Sequence, residues 1–189
     1  MKSSNEGGNQ HRPMADLAHL SIEIVRPEDE QLVLSELVSL LQDAVASGAS
    51  VGFLPPLSQE DARQYWREVF QEVVRNTCVL LIARNAENIV GSVQLALAMK
   101  ANGLHRAEVQ KLFVLQSQRR RGTGRVLMHA VEQVAHERGR TLLVLDTRLG
   151  DAAERLYRSL GYIEAGVIPA YAKSATGVLD STVFFYKAL

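Results

Sequence analysis

The sequence predicts a mixed α/β fold, a central β-sheet flanked by about four helices, and three observations carry that reading. Strand-like and helix-like hydrophobic periods follow one another in the order β-α-α-β-β-β-α-β-α-β-β. Residues 141–145 are apolar without interruption, the pattern of a strand buried on both faces. Residues 118–125, Gln-Arg-Arg-Arg-Gly-Thr-Gly-Arg, form a basic, glycine-bearing turn between an apolar strand-like run at 111–115 and a strongly periodic helix.

Residues 20–25 alternate as a half-buried strand does, and Pro27 stops them while suiting the first turn of a helix. Leu34, Leu37, Val38, Leu41 and Val45 recur at helical spacing up to Gly48. The loop 48–57 is apolar for a segment facing water, so it either covers core or lines a pocket. Ser58, with Asp61 three residues on, starts a second helix whose stripe is Ala62, Tyr65, Trp66, Val69, Phe70 and Val73. Strands are expected at 77–84, 89–99 and 105–115, with turns at Glu87-Asn88 and Ala101-Asn102-Gly103. A helix at 123–138 ends at Gly139, and the buried strand at 141–145 follows. A short helix at 151–160, capped by Asp151 and ended by Gly161, precedes strands at 162–167 and 181–187.

The chain of 189 residues suits one domain over 19–189, preceded by a polar tail at 1–18 that reads as disordered. Lys+Arg and Asp+Glu both number 21, so the net charge is zero. A dedicated binder of nucleic acid or of anionic membranes usually carries a basic excess, so neither is expected as a partner. The single cysteine, Cys78, opens an apolar strand and reads as a small core residue. With no disulfide available within the chain, no apolar signal core and no membrane-length apolar run, a cytoplasmic location is expected. His129 and His136 lie seven apart on one helix, too far for a ligand pair, and no metal is expected.

The arginines are therefore a local feature suited to a compact anion. Glycines at 122 and 124 let the backbone approach, and N–H groups at the helix start point outward with the positive end of the helix dipole. Neither a Gly-x4-Gly-Lys-[Ser/Thr] loop nor a three-glycine dinucleotide fingerprint is present. What remains is Arg-x-x-Gly-x-Gly, which alone also fits an ordinary basic helix start.

In this context the chain resembles the GCN5-related N-acetyltransferases over roughly residues 20–188, including Leu-Tyr-Arg-Ser-Leu-Gly-Tyr at 156–162. Segments 48–53, 102–104, 106–112, 145–147 and 185–189 are similar to the tabtoxin-resistance acetyltransferases. The family often has proline where Gln116 stands, and Arg120 takes the place of the first of three glycines. The resemblance implies a sheet whose fourth and fifth strands splay apart. It implies acetyl-CoA as co-substrate, held by Leu112, Phe113, Val114, Arg119, Arg120, Arg121, Gly122, Thr123, Gly124 and Arg125, with the Val114 N–H on the thioester carbonyl. Superfamily members often dimerise, so the resemblance also implies a homodimer.

Acetyl transfer to an amine needs a base to deprotonate the ammonium and an acid for the departing thiolate. Glu108 and Asp146 are carboxylates in otherwise largely apolar strands, and alternation places Glu108 on one face with Gln110, Leu112 and Val114. The resemblance makes the two the general-base pair and Tyr157 the general acid. The plainer readings are an ion pair of Glu108 with Arg106 or Lys111, a turn or helix cap for Asp146, and a packed aromatic for Tyr157. The expected enzyme is an N-acetyltransferase acting on a small amine by direct attack in a ternary complex. A tabtoxin-type β-lactam or another amino-acid-like toxin is the specific expectation, with loop 48–57 and segment 168–180 (Tyr171, Lys173) forming the acceptor pocket. The rivals are acetylation of a protein N-terminus or lysine, and a CoA-binding sensor without catalysis.

Overall fold

The computed structural model describes residues 20–86 and 88–189. The expected tail at 1–18 and the Glu87 half of the Glu87-Asn88 turn lie outside the described residues. Seven strands form one sheet: β1 (Leu20–Ile24), β2 (Cys78–Asn85), β3 (Asn88–Leu97), β4 (Arg106–Val114), β5 (Leu142–Arg148), β6 (Ile163–Lys173) and β7 (Leu179–Ala188). Their order is β1-β2-β3-β4-β5-β7-β6. Every neighbouring pair is antiparallel except β4 and β5. The helices are α1 (Glu30–Ala46), α2 (Gln59–Val74), α3 (Thr123–Glu137) and α4 (Ala152–Ser159).

Local chemistry sets the element ends. Pro27 opens a short 3-10 turn, Pro27–Asp29, that leads into α1. Ser58 accepts a hydrogen bond from the Asp61 N–H at 3.0 Å and starts α2. Gly139 takes a φ of 69° just after α3, a conformation that costs glycine little. Asp151 stands at the N-cap of α4, but its side chain bonds Arg148 instead of the helix start. The hairpin β6–β7 is longer than the sequence suggests: β6 runs on to Lys173 past bulges at Gly166 and beyond Ile168, where alternation fails.

Two apolar layers cover the two faces of the sheet. On one, α1 and α2 pack on Leu80, Ile82 and Phe113 around Trp66, whose indole N–H donates to the Leu37 carbonyl at 2.8 Å. On the other, α3 and α4 pack on Val93, Leu95, Ala107, Val109, Leu143 and Leu145. Helix α3 sits so close that a Cβ at Gly91 would meet Leu127 at 3.0 Å and Thr123 at 3.4 Å, with the Phe113 carbonyl oxygen of β4 at 2.8 Å. Cys78 lies inside, 3% exposed, and burial pushes its thiol up to about 12.

Candidate active site

The site begins where the sheet stops pairing. β4 and β5 are joined only through Arg106–Leu142, Ala107–Leu143 and Glu108–Val144. Beyond these pairs β4 stays with β3 and β5 stays with β7. The facing edges in the gap carry backbone groups with no strand opposite, so an extended ligand with its own amides can bond there.

A bulge then reorients β4. Lys111 has a φ of 52°, and the register against β3 shifts between Ser92 and Gln94. Ala107 and Val109 face the α3 layer before the bulge, and Leu112 and Val114 pack against that layer after it. Phe113 enters the α1/α2 layer, with its ring 6.2 Å from Trp66. Simple alternation put Glu108, Gln110, Leu112 and Val114 on one face. The extra residue separates the first two from the last two.

Glu108 and Asp146 lie on the sheet face opposite the α3 layer, because their strand neighbours Ala107, Val109 and Leu145 occupy that layer. The Asp146 carboxyl is raised from its ordinary value, first by burial and then by the nearby Glu108 charge, while Lys111 pulls it down. Asp146 keeps exposed surface, so it is reachable from water while protein crowds its carboxyl. Lys111 donates from Nζ to the Val51 carbonyl at 2.8 Å, which ties loop 48–57 to β4. Burial lowers its ammonium, and Asp146 and Glu108 oppose that. Instead of the surface ion pair with Glu108 considered above, Lys111 is a half-buried cation set between two carboxylates and a loop.

Tyr157 approaches from the opposite face. It is buried in the α3/α4 layer, with ring centroids 5.9 Å from Tyr162 and 6.3 Å from Phe185. Burial and the Asp146 charge push its phenol up, which keeps the proton on oxygen. Asp146 is thus in electrostatic contact with Glu108, Lys111 and Tyr157, although none of these four lines the cavities described next.

A cavity of about 550 Å³ runs between the end of α1, the end of β4, the start of α3 and α4. Leu112, Phe113, Val114, Arg119, Arg120, Gly122, Thr123, Gly124 and Arg125 line it, and Arg121 does not. Gly122 takes a φ of 93° and Arg120 a φ of 62°, so Arg120 adopts a backbone that glycine holds more cheaply. Gly122 and the first residues of α3, Thr123 and Gly124, line this cavity, and the N–H groups that begin a helix lack an intrahelical partner, which fits a pyrophosphate. The arginines divide their work. Arg119 donates to the Val114 carbonyl at 3.0 Å and to the Ser47 hydroxyl at 2.6 Å, pinning β4 to α1. Arg125 donates to the Ser159 hydroxyl at 2.7 Å, and Arg120 hydrogen-bonds no described residue.

A second cavity of about 260 Å³ lies between residues 48–55 and residues 172–175. Gly48, Ala49 and Arg148 line both cavities. The two segments expected to form the acceptor pocket therefore meet, although Tyr171 packs on Phe184 at 5.5 Å and does not line this cavity. Two residues of the site were not foreseen, Lys111 and Arg148. For Lys111 the signal was a charge sharing a nominal face with the large apolar Phe113. Arg148 lies two residues from Asp146, on the same side of the strand.

Among the described residues no group of three or more His, Cys, Asp or Glu side chains is arranged to hold a metal. No helix among them is long and apolar enough to cross a membrane.

Residues 44–162 match the model of the acetyltransferase (GNAT) family. An uncharacterised N-acetyltransferase of Azospirillum brasilense, from the hisH-hisA intergenic region, is 32% identical over 117 residues, 61% of this chain and 68% of that protein. The ribosomal-protein-alanine N-acetyltransferase of Brucella melitensis superposes with a TM-score of 0.73 at 24% identity, covering 89% of this chain and 99% of its own. The yncA structure of Salmonella typhimurium, solved with its cofactor acetyl-CoA, gives 0.73 at 18% identity, covering 90% and 94%.

Proposed function

Because the chain belongs to the acetyltransferase (GNAT) family, and so is an acetyl-CoA-dependent acetyltransferase, we propose that it acetylates the amine of a small, amino-acid-like molecule by direct attack in a ternary complex. A tabtoxin-type β-lactam is the specific acceptor we put forward. Acetylating such an amine removes a charge on which a target depends, which makes the reaction a detoxification.

The observation that carries this reading is the Asp146 carboxyl, raised by burial and by Glu108, at the split between β4 and β5. A raised carboxylate is a better base near neutral pH. In the proposed mechanism Glu108 and Asp146 take the proton from the acceptor ammonium, and the Val114 N–H donates to the carbonyl oxygen as it gains charge. Tyr157, whose phenol stays protonated, gives its proton to the departing sulfur. The nine residues between Leu112 and Arg125 that line the larger cavity, without Arg121, hold acetyl-CoA, which supplies the activated acetyl group. No covalent intermediate on the protein is required, and Cys78, buried with a raised thiol, is unsuited to one.

A cavity of about 260 Å³ beside the larger one supports a small acceptor over an extended peptide. The exposed apolar side chains of edge strand β6, Ile163, Val167 and Ile168, support the homodimer, and the single buried cysteine supports a reducing, cytoplasmic setting. The test is thiol release from acetyl-CoA with a tabtoxin-type lactam, free amino acids, polyamines and a peptide pool. Release with the lactam or one small amine sustains the reading, and release with peptides alone overturns it.

A further inference from the structure

We propose that Arg148 and Lys173 form a subsite for an anionic group carried by the acceptor, so that the acceptor is a small amine bearing a carboxylate or a comparable acid. This rests on the acetyltransferase reading above and narrows its substrate class. The smaller cavity is apolar along loop 48–55, and its only charged lining side chains among the described residues are Arg148 and Lys173, both cations.

Arg148 is held from outside that cavity. Nη2 donates to Asp151 at 3.0 Å and Nη1 to Asp180 at 3.5 Å. Neither aspartate lines the smaller cavity, and Asp151 lines only the larger one. A guanidinium has five N–H donors, and two are used here, the second in a long and weak bond. The aspartates therefore orient the guanidinium and offset its charge, while Lys173 adds a cation that lines the cavity.

Spacing along β5 fixes which acceptor fits. Asp146 and Arg148 point to one side of the strand, roughly 7 Å apart at two residues. A ligand whose ammonium and carboxylate lie a few ångströms apart can reach both. The amine then meets the carboxylate pair, and the acid meets the cations. A polyamine placed the same way sets its second ammonium against Arg148 and Lys173. The volume agrees: about 260 Å³ lies just below the range of roughly 300–1,000 Å³ usual for drug-sized ligands.

The experiment uses the full chain and matched pairs of free amino acids and their amides. Thiol release from acetyl-CoA gives kcat/KM for each, and calorimetry on the protein saturated with CoA gives Kd. The acid is expected to exceed its amide by about tenfold or more in at least one measurement, the size of a charge-assisted contact. Lys173→Glu, at an exposed position, is expected to bring that ratio to about one or below, and Arg148→Met to lower it as well. Equal behaviour of acids and amides in both measurements, binding of neither, or a ratio unmoved by Lys173→Glu overturns the subsite. Acids that bind preferentially without turnover leave the subsite standing and sink the catalytic reading. Turnover of acids and amides alike, with equal binding, does the reverse.

Discussion

The two halves of the sheet are built to different standards. From β1 to β4 the strands are antiparallel, and the central pair β2 and β3 is covered on both faces: Cys78–Ala83 and Ile89–Leu95 are buried without a break. In the other half β6 is exposed at nearly every position and held by β7 alone. The two halves join through three residue pairs of β4 and β5. The carboxylates, Lys111 and Arg148 cluster at this seam, and Tyr157 reaches it from the opposite face. The first half is thus a frame that fixes one wall of the site, and the hairpin is a second wall with few bonds to that frame. Opening a gap in a sheet exposes backbone groups, a cost tolerated where a ligand takes their place.

The largest effect falls on the frame. Trp66 is fully buried and its indole N–H is bonded to Leu37. Trp66→Ala is expected to cost about 3–5 kcal/mol of stability, read by denaturant unfolding of the variant beside the parent. A loss below about 1 kcal/mol would break the comparison, because the supposed frame would then tolerate a cavity as well as the seam does.

The seam should respond in the opposite way. Asp146→Asn is expected to lower kcat/KM by about 10²–10³-fold, the usual share of a general base. Stability is expected to hold or rise. A carboxyl raised in the folded state binds its proton more tightly there than in the unfolded chain, so it costs stability at pH values above its ordinary range. Asparagine removes that cost. Unchanged turnover, or a fold clearly weakened at neutral pH, would show that Asp146 is structural.

How much of this could be read along the chain differs between the halves. The order of eleven elements, the Ser58 cap and the basic turn are local facts, and local sequence dictates them. The bulge at Lys111 was not legible. It is a register slip against β3, fixed by where Phe113 finds space beside Trp66 and not by any turn residue. The length of β6 escaped for a related reason: an exposed, twice-bulged strand has no clean alternation to detect. The nearness of Glu108 to Asp146 needed the strand pairing itself, since 38 residues separate them.

The third effect is a shift in pH dependence. Activity by the proposed base rises with pH as Asp146 loses its proton, and Lys111 holds that carboxyl lower than Glu108 and burial alone would. Lys111→Met is expected to move the ascending limb of kcat/KM upward by about half to one pH unit, a coupling of roughly 0.7–1.4 kcal/mol. Lys111→Arg keeps the charge and is expected to move it less. Equal shifts in both variants would mean that the tie to Val51, and not the charge, is what Lys111 supplies.

The smallest effect separates two neighbouring arginines in the phosphate turn. Arg120 holds a φ of 62°, a conformation costing roughly 1–2 kcal/mol for a residue with a Cβ. Arg120→Gly relieves that strain, but glycine loses more entropy on folding, about 0.4–1 kcal/mol. The two nearly cancel, so stability is expected to stay within about 1 kcal/mol of the parent, on the favourable side. Arg120 lines the cofactor cavity, so KM for acetyl-CoA is expected to rise by about three- to tenfold and to become less sensitive to salt. Arg119→Gly should do the converse, because its side chain joins Val114 to Ser47. It loosens the meeting point of β4 and α1 and lowers stability, with a KM effect that salt does not modulate. If Arg120→Gly left KM and its salt response unchanged, the residue would be a strained surface position, and the phosphate would be held by the glycines and the start of α3 alone.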